Sequence, residues 1–238
     1  MIYGMILAGG SGTRMGNSDL PKQFLNIGDK PILIHTLEQF IVNKAIDKTI
    51  ICVPEVWLNY ARDLVNEHLG EVADLYFVVG GETRNETIVN GCKFISAEFG
   101  TKDADVIVTH DAVRPFINQR ILEDNIAAIE QCEAVDTAVP AFDTIVASKD
   151  GVFISEVPLR SEMFQGQTPQ TFKLNKFMEL YASLSAEEKA LLTDACKIFF
   201  LKCEKVKIVA GELSNIKITT LYDLKLANAI INSEVRND

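Results

Sequence analysis

The chain has 238 residues, a size that suits one α/β domain, and a net charge of −10 at pH 7. So acidic a chain is a poor match for DNA phosphates or an anionic membrane, and any phosphate chemistry must concentrate positive charge locally. Its five cysteines form no C-x-x-C pair and its three histidines show no metal-ligand spacing, which excludes a disulfide framework or zinc site from the expectation. The N-terminus has no basic n-region and no stretch reaches membrane-spanning length, so a cytoplasmic protein without membrane insertion or a nucleic-acid partner is expected.

Ile2 to Leu7 is a short apolar run ending in glycines and reads as a buried strand. Apolar spacing from Pro31 to Asn43 predicts a helix with Pro31 near its first turn. Strands are then expected at Thr49 to Val53, Leu75 to Val79, Ala104 to Thr109 and Val135 to Val139. Helices are expected between them at Trp57 to His68, Asn85 to Phe99 and Gln119 to Cys132. This alternation predicts a single α/β domain over residues 1–238, Rossmann-like, with a mostly parallel sheet and helices on both faces.

The pattern changes after Pro140. Thr144 to Ala147 and Val152 to Val157 flank Asp150-Gly151, a hairpin signal within residues 141–163. Such a hairpin either projects as an arm or adds antiparallel to the sheet edge. Helices follow at Leu174 to Leu184 and Leu191 to Leu201, a strand at Val206 to Val209, and a last helix from Leu221 to about Ile231.

In sheets of this kind ligands bind beyond the carboxyl ends of the strands. Three polar loops fall there: Gly9 to Arg14, Gly80 to Arg84, and His110 to Arg114. The first, Leu7-Ala8-Gly9-Gly10-Ser11-Gly12-Thr13-Arg14-Met15-Gly16, can present successive N–H groups to an anion. It is not a P-loop, since no Lys-Ser or Lys-Thr follows, and Met15 stands where the dinucleotide fingerprint requires glycine. Arg14 and Lys22 add two cations to the same connection, with Pro21 fixing the backbone before Lys22. That combination suits a nucleoside triphosphate.

L-A-G-G-S-G-T-R-M-G followed by P-K-Q-F resembles the opening of the cytidylyltransferases that act on sugar or polyol phosphates. The resemblance continues through G-G-E-T-R-N-E-T at 80–87, H-D-A-V-R-P at 110–115, Q-T-P-Q at 167–170, Thr193-Asp194, and N-I-K-I-T at 215–219. It implies that Leu7, Ala8, Gly9 and Gly10 wrap the nucleotide, and that Gly81, Glu82, Arg84 and Thr87 recognise the base and position its loop. Arg14 and Lys22 would stabilise charge on the α-phosphate. Arg160 and Lys217 would hold the acceptor's phosphate in a pocket shared with Thr168 and Thr193. Asp111 would bind nucleotide-bound Mg²⁺; a carboxylate paired with Arg114 is the rival reading. The hairpin resembles a dimerisation arm, which makes a homodimer the expected partner state, with Arg160 acting in either subunit's site.

Two departures, Leu7-Ala8-Gly9-Gly10 and Thr193-Asp194-Ala195-Cys196-Lys197, resemble the branch that uses D-ribitol 5-phosphate for teichoic acid. The alternative acceptor is 2-C-methyl-D-erythritol 4-phosphate. The acceptor's phosphate is already mostly ionised at neutral pH, with a second pKa of about 6, so no general base is needed and His110 reads as structural.

Overall fold

A computed structural model describes residues 1–10 and 20–234. The predicted alternation forms a seven-stranded sheet ordered β5-β4-β1-β6-β8-β7-β9. Its first half consists of β1 (Ile2–Leu7), β4 (Lys48–Val53), β5 (Leu75–Val79) and β6 (Val106–Asp111), all parallel. Beyond β6 lie β8 (Phe164–Lys173), β7 (Ala134–Pro140) and β9 (Val206–Ala210); β8 runs against both of its neighbours. A two-residue pair, β2 (Asn26–Ile27) and β3 (Lys30–Pro31), forms a separate small ribbon.

Both sheet faces are apolar and both are covered. Helices α1 (Ile32–Ile41), α2 (Leu58–Leu69) and α4 (Gln119–Ala128) pack on Ile6, Ile51, Val108 and Val135. On the other face, α3 (Arg84–Phe99), α5 (Leu174–Ala182) and α7 (Cys196–Leu201) pack on Met5, Cys52, Ile107 and Phe172. Strand residues alternate between these clusters with period two, as a sheet buried on both sides demands. Gly91 lets α3 lie close: a Cβ there would collide with Met5. The last helix, α8 (Leu221–Glu234), sits on the small ribbon through Ala227 and Ile27.

Three expectations are corrected. Of the helix expected over Leu191 to Leu201 only the second half is helical, as α7; residues 191–195 connect it to a short helix that precedes the expected range, α6 (Ala186–Ala190). The cause is a second start signal: Asp194 Oδ1 accepts from Lys197 N at 2.9 Å and begins a new helix. β8, not expected at all, occupies an interior position in the sheet. Its Gly166 and Pro169 disguise it, since both are uncommon inside interior strands. Its ladder with β6 covers only Gln170 to Lys173, which leaves Pro169 beyond those pairs. The predicted hairpin strands shrink to one bridge, Ala147 with Glu156. Its turn is as expected: Gly151 has φ +74°, and Asp150 Oδ1 accepts from Val152 N and Phe153 N, each at 2.9 Å. The segment is an exposed arm carrying Val152, Phe153, Ile154 and Leu159 on its surface.

Candidate active site

The carboxyl ends of the parallel strands are tied together by backbone bonds beyond their ladders. Ala8 N donates to Cys52 O at 2.8 Å, Gly80 N to Val53 O at 2.8 Å, and Ala112 N to Leu7 O at 3.0 Å. The three predicted loops therefore converge, and between them opens a cleft of about 360 Å³. Leu7, Ala8, Gly9 and Gly10 form one wall; Gly81, Glu82, Arg84 and Thr87 form another; Asp111, Lys22 and Lys217 also line it. Arg14 lies outside the described residues.

Lys22 opens a short 3-10 turn over Lys22–Phe24 and is itself buried. Gln23, one residue on, donates from Nε2 to Ala8 O at 2.6 Å and pins this turn against the glycine wall. Gly10 lies against the Lys22 stem: a Cβ added there would be 3.7 Å from Lys22 Cε. Gln23 was visible in P-K-Q-F but carried no charge to mark it.

Thr87 organises the second wall. Its Oγ1 accepts from Gly81 N at 3.0 Å and donates to Thr83 O at 2.9 Å. A capping box of Thr83 and Glu86 starts α3 and aims Arg84 at the cleft. Gly81 has no substitute here, because an added Cβ would collide with Glu86.

Asp111 is the focus of the cations. Its carboxylate meets Lys217 Nζ at 2.9 Å, Arg84 Nε at 3.5 Å and Arg114 Nε at 3.6 Å. Burial works against its charge, yet Arg84, Lys217 and Arg114 together hold it well below the usual carboxylate range. The pairing with Arg114, the rival to a metal role, is thus present and extends to two further cations. Arg84 Nη1 and Nη2 are buried without a hydrogen-bond partner among the described residues. Arg114 Nη1 donates to Asn215 O at 2.7 Å, and Asn215 Nδ2 to Thr168 O at 2.8 Å. With Ile218 N donating to Val113 O at 2.9 Å, these bonds carry Lys217 to the cleft.

His110 is fully buried, and burial pushes it down to about 4, so it is neutral. Its Nε2 faces Arg114 O at 3.1 Å and must donate, because a carbonyl only accepts. Nδ1 is then the acceptor, for the Thr168 hydroxyl at 3.0 Å. Thr168 Oγ1 in turn accepts from Asp111 N at 3.2 Å. His110 and Thr168 thus hold Asp111 from behind and lie outside the cleft lining. Thr193 lines a separate cavity of about 310 Å³ that shares Arg84 with the main cleft. Arg160 sits at the base of the arm, donating to Phe142 O at 2.9 Å, and is not among the residues lining its own chain's cleft.

Among the described residues no cluster of three His, Cys, Asp or Glu side chains could cage a metal. The donor set fits Mg²⁺ only as a shared ion, with Asp111 as one ligand and a substrate's phosphates supplying others. Among the described residues no helix is long and apolar enough to cross a membrane.

Residues 2–233 match the family described as IspD, 2-C-methyl-D-erythritol 4-phosphate cytidylyltransferase. The 4-diphosphocytidyl-2C-methyl-D-erythritol synthase of Anaerococcus prevotii is similar in structure, with a TM-score of 0.79 and 30% identity over 97% of this chain and 96% of that one. The 2-C-methyl-D-erythritol 4-phosphate cytidylyltransferase of Francisella tularensis gives 0.79 and 27% over 95% and 98%. That of Thermus thermophilus, at 24% identity over 97% and 98% and a TM-score of 0.72, shares the fold.

Proposed function

The chain belongs to the IspD family of cytidylyltransferases, and from that premise we propose that it transfers the cytidylyl group of CTP to D-ribitol 5-phosphate, releasing pyrophosphate. The product, CDP-ribitol, would serve teichoic acid assembly. One observation carries the chemistry: Lys22, Arg84 and Lys217 line one cleft around Asp111 in a protein of net charge −10. A phosphate oxygen of the acceptor attacks the α-phosphorus of CTP, and the bond to pyrophosphate breaks. No proton moves, which agrees with His110 being neutral, buried and fully bonded. The barrier is repulsion between anions. Lys22 and Arg14 would offset it at the α-phosphate, and Lys217 and Arg160 at the acceptor. Mg²⁺, held by Asp111 and the triphosphate, would neutralise the leaving pyrophosphate.

The acceptor is read from Leu7-Ala8-Gly9-Gly10 and Thr193 to Lys197, the two segments that depart from the methylerythritol pattern. A second reading, 2-C-methyl-D-erythritol 4-phosphate, is favoured by the names of the similar structures. Incubation with Mg-CTP and each polyol phosphate, reading pyrophosphate release, tests both. Faster turnover of the methylerythritol ester would overturn the ribitol assignment. We also read the arm as a homodimer contact: its exposed Val152, Phe153 and Ile154 need cover. Arg160, at its base, would then serve the partner's cleft.

A further inference from the structure

The face of the sheet that carries Asp111 holds a second polar group. Thr109 of β6, Gln170 of β8 and Asp136 of β7 lie opposite one another in the ladders. At the usual strand spacing this row is about 10 Å wide. Asp111 and Thr168 lie two residues further toward the cleft on their strands.

Gln170 is buried and works as a hub. Its Nε2 donates to Asp136 Oδ1 at 3.1 Å, and its Oε1 accepts from Ala195 N at 3.4 Å. The loop bearing Thr193 and Asp194 is thereby anchored beside Asp136. Aspartate is unfavourable inside a strand, and β7 shifts register between Asp136 and Ala138, a device common next to active sites. Burial pushes the Asp136 carboxyl up to about 6, with Gln170 opposing and Asp194 adding to the rise. A half-buried acid beside a second acid contributes little to a sheet, and such groups cluster at functional sites. Its other oxygen faces Gly166, whose missing side chain leaves it uncovered there: an added Cβ would touch Asp136 Oδ2 at 3.8 Å. Arg84, whose charge also acts on Asp136, contributes two donors that have no partner among the described residues.

We infer that Asp136 is a specificity-determining residue that accepts a hydroxyl of the acceptor's polyol chain, with Gln170 holding its carboxylate and Arg84 donating beside it. This rests on the reading of the protein as a polyol-phosphate cytidylyltransferase. A buried site built to bond a hydroxyl rejects analogues lacking it, because its own polar groups are then left unpaired.

The test compares Asp136→Ala and Gly166→Val with the wild type. The first removes the carboxylate, and the second keeps it but fills the space beside it. KM and kcat are measured for CTP, D-ribitol 5-phosphate, 2-C-methyl-D-erythritol 4-phosphate and deoxy analogues of each. Both variants are expected to lose about 10- to 100-fold in kcat/KM for the acceptor, with the KM for CTP within about twofold. Their discrimination against the deoxy analogues should fall toward unity. If both variants keep wild-type kcat/KM and wild-type discrimination, the inference is wrong while the proposed function stands. A wild-type protein that releases no pyrophosphate with any polyol phosphate overturns both. Should Asp136→Ala lose its cooperative thermal transition, Gly166→Val decides the matter.

Discussion

Lys217 Nζ stands 2.9 Å from Asp111 Oδ2. The cation assigned to the acceptor's phosphate is therefore neutralised by a carboxylate until an anion arrives. Asp111→Asn leaves Lys217, Arg84 and Arg114 facing one another without their counter-charge, and removing one partner of a buried pair costs roughly 3 kcal/mol. The variant should melt below the wild type, and pyrophosphate should raise its thermal midpoint more than it raises the wild type's. Equal shifts in the two proteins would show that Asp111 does not hold the phosphate-binding cations apart.

Lys22→Ala should retain the fold and lose about 10²- to 10³-fold in kcat, the usual loss when one charge-stabilising donor is removed. Steady-state kinetics beside a thermal melt checks it. Turnover near the wild type would remove Lys22 from transition-state stabilisation.

Arg160→Ala should depress kcat/KM for the polyol phosphate and leave the KM for CTP unchanged. If Arg160 serves the partner's cleft, mixing it with Lys22→Ala rebuilds one intact site in each mixed dimer. Recovery of about a quarter of wild-type activity is expected, since half of the dimers are mixed and each has one good site. No recovery on mixing, with exchange verified by mass, assigns Arg160 to its own chain.

Buried His110 and half-buried Asp136 should make stability respond to pH in opposite directions. Burial lowers His110 from 6.5 to about 4, so the unfolded chain binds the extra proton and stability falls as pH drops through that window. Burial raises Asp136 from 3.8 to about 6, so the folded chain binds the extra proton and stability rises as pH drops from 6. Each is of the order of a few kcal/mol at 1.36 kcal/mol per pH unit, so the two oppose each other in the wild type between pH 6 and 4. Asp136→Asn should lose stability on acidification, and His110→Asn should gain it. Denaturant melts without added metal, at several pH values, decide; parallel curves for all three proteins would contradict both assignments.

The parallel half of the fold was legible because each strand there is a short apolar run closed by a polar loop. Those loops also carried much of the cleft: Gly9, Gly10, Gly81 and Asp111 all line it. What stayed hidden is local chemistry overruled by neighbours. β8 contains Gly166 and Pro169, and only the strands on either side make it a strand. Thr168 carries a motif position yet bonds His110 and Asp111 from behind, a role that depends on a strand distant in sequence. Gln23 and Gln170 are neutral, and no spacing rule marks a neutral amide as a hub.

The bonding around His110 has a consequence for how the reaction meets its solvent. The Nε2 proton is committed to Arg114 O and the Thr168 hydroxyl proton to Nδ1. Neither His110 nor Thr168 therefore has a hydrogen poised to travel during phosphorus–oxygen exchange. Turnover in heavy water should match turnover in light water once the pH scale is corrected. The reverse reaction, in which pyrophosphate cleaves the cytidylyl product, should be equally indifferent to deuterium.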